Sequence, residues 1–179
     1  MDGCVMALGT FDGLHPGHKA VLLTAVALSR TLNTQSLVYT FCENPRSLFG
    51  PAPRQLLSAE EKIRRMRALG IDRVECVHFT RELAALTPQE FIDRIEKEFR
   101  PAAFVVGEDY SFGCGGSGSV DTLRRLASEK GIRVCAVPLV TVKTKDGPSK
   151  EKVSSTRIRR ALDAGENDLA QKLINGEEI

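Results

Sequence analysis

The sequence contains no tryptophan and only two tyrosines, and its 25 basic residues nearly balance its 23 acidic residues. Proteins that bind nucleic acids need a clearly basic surface, and those that bind single strands also need exposed aromatic rings for base stacking. The composition therefore argues against a nucleic-acid partner. No apolar run approaches the roughly 20 residues that a membrane-spanning helix requires, so a membrane partner is not expected either.

Cysteine is also sparse, and the five cysteines form no Cys-x-x-Cys pair of the kind that metal and redox sites use. Four of them, Cys4, Cys42, Cys76 and Cys135, lie in or beside apolar stretches, where a reduced thiol behaves as a small hydrophobic group. An apolar segment begins almost at once, which leaves no room for a signal peptide. We therefore expect a cytoplasmic protein. The length of 179 residues suits one domain with a full core.

The chain has only three histidines, and two of them form its most informative feature. His15 and His18 lie in the run Gly-Thr-Phe-Asp-Gly-Leu-His-Pro-Gly-His, residues 9–18, which we call the histidine turn. A glycine-rich turn that enters a helix places backbone N–H groups where a polyphosphate can sit. Histidines three residues apart share one helix face, so both rings can point at one phosphate. A metal-binding pair or two unrelated surface histidines are the alternatives, and the glycine-rich setting favours a nucleotide.

Strand-like and helix-like segments alternate along the chain. Apolar runs predict five strands, at residues 4–9, 36–41, 73–78, 102–107 and 133–140. Amphipathic periodicity predicts helices at residues 17–31, 58–70, 87–99, 120–130, 155–164 and 166–174, with capping boxes at 58–61 and 87–90. This alternation implies right-handed crossovers and an α/β fold with a doubly wound, mainly parallel five-stranded sheet.

Two details of this prediction concern local structure. In the first helix, the inner face is predicted to consist of Ala20, Leu23, Val26 and Ala27. The polar stretch 143–152 is predicted to be a mobile loop.

In a doubly wound sheet, ligands bind beyond the carboxyl ends of the strands. The histidine turn follows the first predicted strand, Asn44-Pro45-Arg46 follows the second, and the segment 107–113 follows the fourth. One crevice can therefore collect all three. Nearer the C-terminus, Ser154-Ser155-Thr156-Arg157 offers hydroxyls and a cation at the start of a helix, which suits phosphates. Taken alone, that segment is better explained as a capped helix with an exposed basic face formed by Arg157, Arg159 and Arg160. Its place as the last of four ordered segments reverses that preference.

These four segments, in this order, resemble the motifs of the nucleotidyltransferase superfamily with its His-x-Gly-His signature, and specifically those of the FAD synthetase (FMN adenylyltransferase) family. The resemblance runs from about residue 4 to residue 162. It implies a Rossmann-like nucleotidyltransferase fold and the transfer of AMP from ATP to FMN, with release of pyrophosphate. The phosphate of FMN is already anionic at neutral pH, so positioning and charge neutralisation would supply the catalysis without a general base.

The resemblance also implies a role for individual residues. The catalytic residues would be His15, His18 and Arg157. ATP would be bound by Gly9, Thr10, Phe11, Gly17, Gly107, Asp109, Ser154, Ser155 and Thr156. FMN would be bound by Asp12, Asn44, Pro45, Arg46, Tyr110 and Phe112. Mg²⁺ would be held mainly by the phosphates of ATP and by water, with no metal ligands from the protein.

Two of these roles have plainer alternatives. Asp109 either accepts hydrogen bonds from ribose hydroxyls or merely shapes the turn that leads to Gly113. Phe112 and the glycines that follow it are expected to form a flexible loop, which either folds over the flavin or is a simple connector.

The chain departs from the family pattern on the acceptor side. Asn44 stands where a histidine is common, and Ser111 and Cys114 stand where basic residues are common. Three alternatives therefore stay open: a related nucleotidyltransferase with another acceptor, a non-catalytic nucleotide- or flavin-binding module, and a fragment of a class I aminoacyl-tRNA synthetase. Bacterial bifunctional members of the family also carry a C-terminal riboflavin kinase domain. Because no kinase signature is present, we expect residues 1–179 to form a single adenylyltransferase domain.

Overall fold

The computed structural model describes residues 3–143 and 150–179. Its main sheet has five strands: β1 (Cys4–Leu8), β2 (Gln35–Phe41), β3 (Arg73–Val77), β4 (Ala103–Gly107) and β5 (Arg133–Val137). The strand order is β3-β2-β1-β4-β5, and every neighbouring pair is parallel. This confirms the predicted doubly wound fold. The strand order reverses between β1 and β4, which opens a crevice at their carboxyl ends.

The helices lie between and after the strands. They are α1 (Pro16–Thr31), α2 (Ala59–Ala68), α3 (Arg81–Ala85), α4 (Pro88–Phe99), α5 (Val120–Ser128), α6 (Ser155–Asp163) and α7 (Asn167–Asn175), with short 3₁₀ turns at Pro45–Leu48 and Cys114–Gly116. The sequence did not predict α3, a short helix capped by the side chain of Thr80. No helix in this part of the chain has the length and apolar character needed to cross a membrane.

The central strand β1 is buried on both faces, as strands of parallel sheets generally are. Val5 and Ala7 pack with α1 and α2 on one face, whereas Met6 and Leu8 pack with α4 and α5 on the other. The carboxyl end of this rigid strand carries the histidine turn, so the core fixes where the turn begins.

The predicted inner face of α1 is mostly wrong: of its four residues Val26 packs against the core, whereas Leu23 and Ala27 are exposed. Val21, Leu22, Ala25 and Ser29 are the buried residues, whereas Leu23 remains 48% exposed. Almost every position from residue 20 to residue 28 is apolar, so periodicity alone did not single out one face. Docking against the sheet made that choice.

Of the two predicted capping boxes, only the one at Thr87 is complete. At α2, the hydroxyl of Ser58 accepts a hydrogen bond from Glu61 N at 3.2 Å. The carboxylate of Glu61, however, binds Arg64 and Arg65 within the helix instead of turning back to the cap. Arginines three and four residues further on compete for the same carboxylate.

The predicted fifth strand ends early, at Val137 rather than residue 140, because Pro138 lacks the N–H that would continue the ladder. The ends of the predicted loop 143–152 instead belong to strands: β6 (Thr141–Lys143) pairs antiparallel with β7 (Lys150–Lys152). Residues 144–149 lie outside the described part of the chain.

The β6–β7 pair, α6 and α7 share a small core of their own. It is formed by Val142, Val153, Ile158, Ala161, Ala170 and Leu173. Ser155 ties this unit to the histidine turn, because its hydroxyl donates to the carbonyl of Asp12 at 2.6 Å. The C-terminal segment is therefore carried back to the edge of the sheet where the crevice lies.

The cysteines are five free thiols. Cys4 is buried, Cys42, Cys76 and Cys135 are half-buried, and Cys114 is exposed. The expectation of thiols packed in or beside the strands therefore describes Cys4 fully and the other three in part.

Candidate functional site

A cleft of about 510 Å³ lies at the carboxyl ends of β1 and β4. It collects segments that are far apart in the sequence, as the strand topology predicts. The predicted site residues that line it are Gly9, Thr10, Phe11, His15, Gly17, His18, Pro45, Gly107, Asp109, Tyr110, Phe112, Ser154, Ser155 and Thr156. The four that do not are Asp12, Asn44, Arg46 and Arg157.

The histidine turn has an unusual backbone. Phe11 and Leu14 have φ angles of 50° and 44°, in the left-handed region that side chains with a Cβ rarely adopt. Both residues are only 2% exposed, so their burial offsets the strain. A Cβ at Gly9 would lie 3.0 Å from the ring of Phe11, which explains the need for glycine there. The turn is thus strained but firmly packed.

The two histidine rings stack on each other. Their centroids lie 3.7 Å apart at an interplanar angle of 24°, and the ring of Phe11 meets His18 edge-on at 5.4 Å. His15 precedes the first residue of α1, and His18 lies in its first turn. A Cβ at Gly17 would approach the ring of His15 to 3.2 Å, so glycine lets the ring lie against the backbone. Both rings therefore stand at a helix N-terminus, where free N–H groups favour an anion.

Burial keeps both imidazoles uncharged. It lowers the pKa of His15 from 6.5 to about 4, even though the nearby Asp109 favours the charged form. Burial lowers the pKa of His18 well below its ordinary value, and the charges of His15, Lys62 and Arg159 add to this effect. The Nδ1 atoms of both rings are buried without a hydrogen-bond partner among the described residues. Unpaired buried polar atoms are rare in folded proteins, and a bound ligand or water would supply the missing partner.

The N-terminus of α6 also lines the cleft. Ser154 caps the helix by accepting a hydrogen bond from Arg157 N at 3.2 Å, and Ser155 and Thr156 line the cleft. The guanidinium of Arg157 is paired with Glu151, and Arg157 is not among the residues that line the cleft. The structure therefore brings the hydroxyls of this motif to the site but not its first arginine.

Asp109 also has a partner in this structure. Its carboxylate accepts a hydrogen bond from Lys152 Nζ at 2.6 Å, and both residues line the cleft. Gly107 permits this geometry, because a Cβ there would lie 3.2 Å from the Asp109 carboxylate. A carboxylate and an ammonium thus face the space beside the histidines.

Asp12, which is predicted to contact FMN, does not line the cleft and is held by contacts within the chain. One carboxylate oxygen accepts hydrogen bonds from Leu56 N and Leu57 N at 3.0 and 3.3 Å, and the other accepts from Arg159. The side chain of Arg159 is only 12% exposed, so its assignment to an exposed basic face is wrong. The helix turns Arg159 inward, towards the buried carboxylate.

The acceptor segment, residues 43–49, is more exposed. Asn44 Oδ1 accepts a hydrogen bond from Arg46 N at 3.0 Å and so caps the 3₁₀ turn. Arg46 itself is exposed. Of the three residues predicted to bind FMN here, only Pro45 lines the cleft, beside Phe41 and Phe79.

The expectation of a flexible loop after Phe112 is wrong. Phe112 and Gly118 exchange two backbone hydrogen bonds, of 3.0 and 2.8 Å. Cys114 N donates to Leu86 O at 2.7 Å. Phe112 is only 6% exposed, and its ring stacks with that of Tyr110. A Cβ at Gly118 would lie 2.7 Å from the Phe112 ring, so glycine here serves close packing rather than flexibility.

Two lysines were not predicted from the sequence: Lys152, which lines the cleft, and Lys62, which contacts the lining residues Thr10 and Phe41. Lys152 lies within the stretch that was interpreted as a loop, two residues before Ser154. Lys62 is only 3% exposed, although it belongs to a helix whose arginines face solvent. The available signal was its spacing, because Lys62 lies four residues before the buried Met66 and therefore on the inner face of α2.

Comparison with known proteins agrees with this geometry. The family model for FAD synthetase matches residues 1–157. A bifunctional riboflavin kinase/FMN adenylyltransferase of Escherichia coli is 35% identical over 97% of this chain and 54% of its own length. A putative bifunctional riboflavin kinase/FMN adenylyltransferase of Geobacillus thermodenitrificans is 36% identical over 97% of this chain and 90% of its own length. The chain thus spans about half the length of the Escherichia coli relative.

A solved structure from Streptococcus pneumoniae, described as a macrolide-efflux protein, superimposes with a TM-score of 0.84 at 30% identity. The superimposed region covers 98% of this chain and 57% of the Streptococcus pneumoniae chain. The agreement of fold, motif order and family match confirms the resemblance seen in the sequence. The chain belongs to the FAD synthetase family.

Proposed function

We propose that this chain transfers the adenylyl group of ATP to the phosphate of FMN, which yields FAD and pyrophosphate. The observation that carries the proposal is the stacked, buried histidine pair, whose unpaired Nδ1 atoms lie beside a helix N-terminus in the cleft. The names of the Escherichia coli and Geobacillus relatives support FMN as the acceptor.

The triphosphate would lie between the N-termini of α1 and α6. His15 and His18 would contact it from one side, and the hydroxyls of Ser155 and Thr156 from the other. Lys152 would leave Asp109 and turn to the phosphates, which would free the Asp109 carboxylate for the ribose hydroxyls. Arg157 would take part only after it had left Glu151.

In the reaction, an oxygen of the FMN phosphate attacks the α-phosphorus of ATP in line with the departing pyrophosphate. One phosphorus–oxygen bond forms, and the bond from the α-phosphorus to the bridging oxygen breaks. The chain's task is to hold both anions and to stabilise the charge that develops on the phosphate oxygens. A bound polyphosphate raises the proton affinity of the neighbouring imidazoles, so His15 and His18 gain donor capacity when the nucleotide arrives.

The residues of the cleft fit Mg²⁺ that enters with ATP. Among the described residues, no group of three or more histidines, cysteines, aspartates or glutamates is arranged to hold a metal. Asp109 offers the carboxylate at the cleft, and Lys152 already pairs with it. Mg²⁺ keeps most of its water and binds phosphates readily; when bound, it would neutralise part of the phosphate charge.

The apolar part of the cleft lining suits a flat ring. It includes Phe41, Pro45 and Phe79 together with the stacked rings of Tyr110 and Phe112. Aromatic and apolar walls of this kind favour a planar heterocycle over a small aliphatic acceptor.

The direct test is to incubate the purified protein with ATP, Mg²⁺ and either FMN or riboflavin and to separate the flavins by chromatography. FAD from FMN, with riboflavin unchanged, would establish the proposed activity and would also test the expectation that the chain has no riboflavin kinase activity. Absence of FAD, with ATP binding intact, would overturn FMN as the acceptor and favour another phosphorylated acceptor or a binding module.

A further inference from the structure

Lys62 is a buried cation that does not itself line the cleft but contacts two residues that do, Thr10 and Phe41. Its Nζ donates to the carbonyl of Thr10 at 3.3 Å and to the carbonyl of Phe41. Among the described residues, no carboxylate lies within ion-pair distance of it. A buried ammonium without a counter-ion is costly, and burial accordingly lowers the pKa of Lys62.

The two carbonyls that Lys62 holds lie at the site. Thr10 follows β1 and begins the strained part of the histidine turn, whereas Phe41 is the last residue of β2. The hydroxyl of Thr40 donates to the same Thr10 carbonyl at 3.0 Å. Lys62 therefore joins the ends of two neighbouring strands next to the cleft.

Holding the Thr10 carbonyl also sets the direction of the next N–H. In a trans peptide, the C=O of Thr10 and the N–H of Phe11 point in opposite directions. Because Lys62 and Thr40 hold the carbonyl on the α2 side, the Phe11 N–H is turned away from α2. The ring of Phe11, fixed by the same backbone, packs against His18.

The charge of Lys62 also reaches the histidine pair, since it is one of the charges that lower the pKa of His18. Asp12 and Glu43 act on Lys62 only from beyond ion-pair distance, so the positive charge next to the histidine pair has no direct counter-ion among the described residues. An anionic ligand would supply the missing negative charge.

We propose that Lys62 is a positioning residue for the triphosphate: it holds the Thr10–Phe11 peptide in its site geometry and supplies a buried positive charge that bound phosphate compensates. This inference rests on the proposed function for the identity of the ligand. It adds a residue from α2, an element that carries none of the four motifs.

The test compares Lys62→Gln with Lys97→Gln, which removes an exposed lysine from α4. Binding of Mg·ATP is measured by calorimetry without FMN, and FMN adenylyl transfer is measured separately. For Lys62→Gln we expect at least tenfold weaker Mg·ATP binding and a similar loss in kcat/KM for ATP, with a smaller change in KM for FMN. Lys97→Gln should behave as wild type. A folded Lys62→Gln that binds Mg·ATP within twofold of wild type would overturn the inference.

Thr40→Val tests the same carbonyl without changing a charge. If Lys62→Gln does not fold, the Thr40→Val variant tests the inference. Mg·ATP binding that is at least threefold weaker would support the positioning of the Thr10 carbonyl. Unchanged Mg·ATP binding would overturn it. A wild-type protein that binds Mg·ATP but makes no FAD would refute the proposed acceptor while leaving this comparison valid. A wild-type protein that does not bind Mg·ATP would refute both proposals.

Discussion

The histidine turn and the acceptor segment face the same cleft but are held in place by different means. The turn is fixed by side chains from remote parts of the chain, among them Lys62, Ser155 and Arg159. The acceptor segment is held largely by bonds between close neighbours, such as that from Arg46 N to Asn44 Oδ1. Its last residue, Phe49, is 73% exposed.

This difference indicates how the work is divided between the two sides. A surface that must stabilise developing charge has to be rigid before the substrate arrives. A surface that only has to hold an acceptor tolerates adjustment on binding. Changes on the histidine side should therefore affect stability and rate strongly, whereas changes on the acceptor side should have modest effects confined to one substrate.

The largest effect is expected from Asp12→Asn, which leaves Arg159 buried without its carboxylate. Breaking a buried ion pair of this kind costs about 3 kcal/mol in the free energy of unfolding, because one desolvated charge remains. Urea denaturation measures this loss. The matched control is Asp121→Asn, which breaks an exposed pair with Arg124 and should have a much smaller effect. If both variants lost the same free energy of unfolding, the buried pair would contribute no more to stability than the exposed pair, and the prediction would be wrong.

The next effect concerns catalysis. His18→Ala should lower kcat for FAD formation about 100-fold, because one donor to the transition state is lost. The exposed histidine variant His78→Ala should retain its rate. A His18→Ala enzyme within about threefold of wild type would show that the histidine pair has no catalytic role.

Stability should also depend on pH on the histidine side. His15 is neutral when folded, with a pKa of about 4, and its ordinary pKa is 6.5. Between these values the unfolded state binds more protons than the folded state, so acid destabilises the fold. Protonation linked to His15 alone should lower the free energy of unfolding by about 1.5 kcal/mol when the pH falls from 6.5 to 5. Denaturation curves at these two pH values should show the loss, and His15→Asn should reduce it; an unchanged pH dependence in His15→Asn would count against the buried neutral state.

The smallest effect is expected on the acceptor side. Arg46→Ala should raise KM for FMN about fivefold, as expected for loss of one exposed cation–phosphate contact, while KM for ATP stays within twofold. Arg67→Ala, which removes an exposed arginine from α2, serves as the control. If KM for ATP changed more than KM for FMN, the prediction that Arg46 binds FMN would be wrong.

Much of the site could be predicted because local sequence patterns determine it. The histidine turn, the hydroxyls of residues 154–156 and the segment after β4 each follow directly from an element boundary. Sequence spacing could not determine which partners Asp12, Asn44 and Arg46 have, because a side chain's partners depend on the elements packed around it. Their assigned contacts with the acceptor therefore rest on the family resemblance. Arg157 illustrates this: its position in the motif was clear, but its ion pair with Glu151 was not. The roles of these residues, the cytoplasmic location and the Mg²⁺ requirement stay predictions.

Alternating apolar strands and amphipathic helices were sufficient for the sequence to determine the doubly wound sheet, and therefore the edge at which a ligand binds. The same alternation makes the strands parallel, so the carboxyl ends of β1, β2 and β4 lie at one edge of the sheet. Only the tertiary structure decided which charges became buried. Lys62, Arg159 and Asp12 are ordinary polar residues in the sequence, and they acquire their roles because packing removes them from water and leaves each with one set of partners.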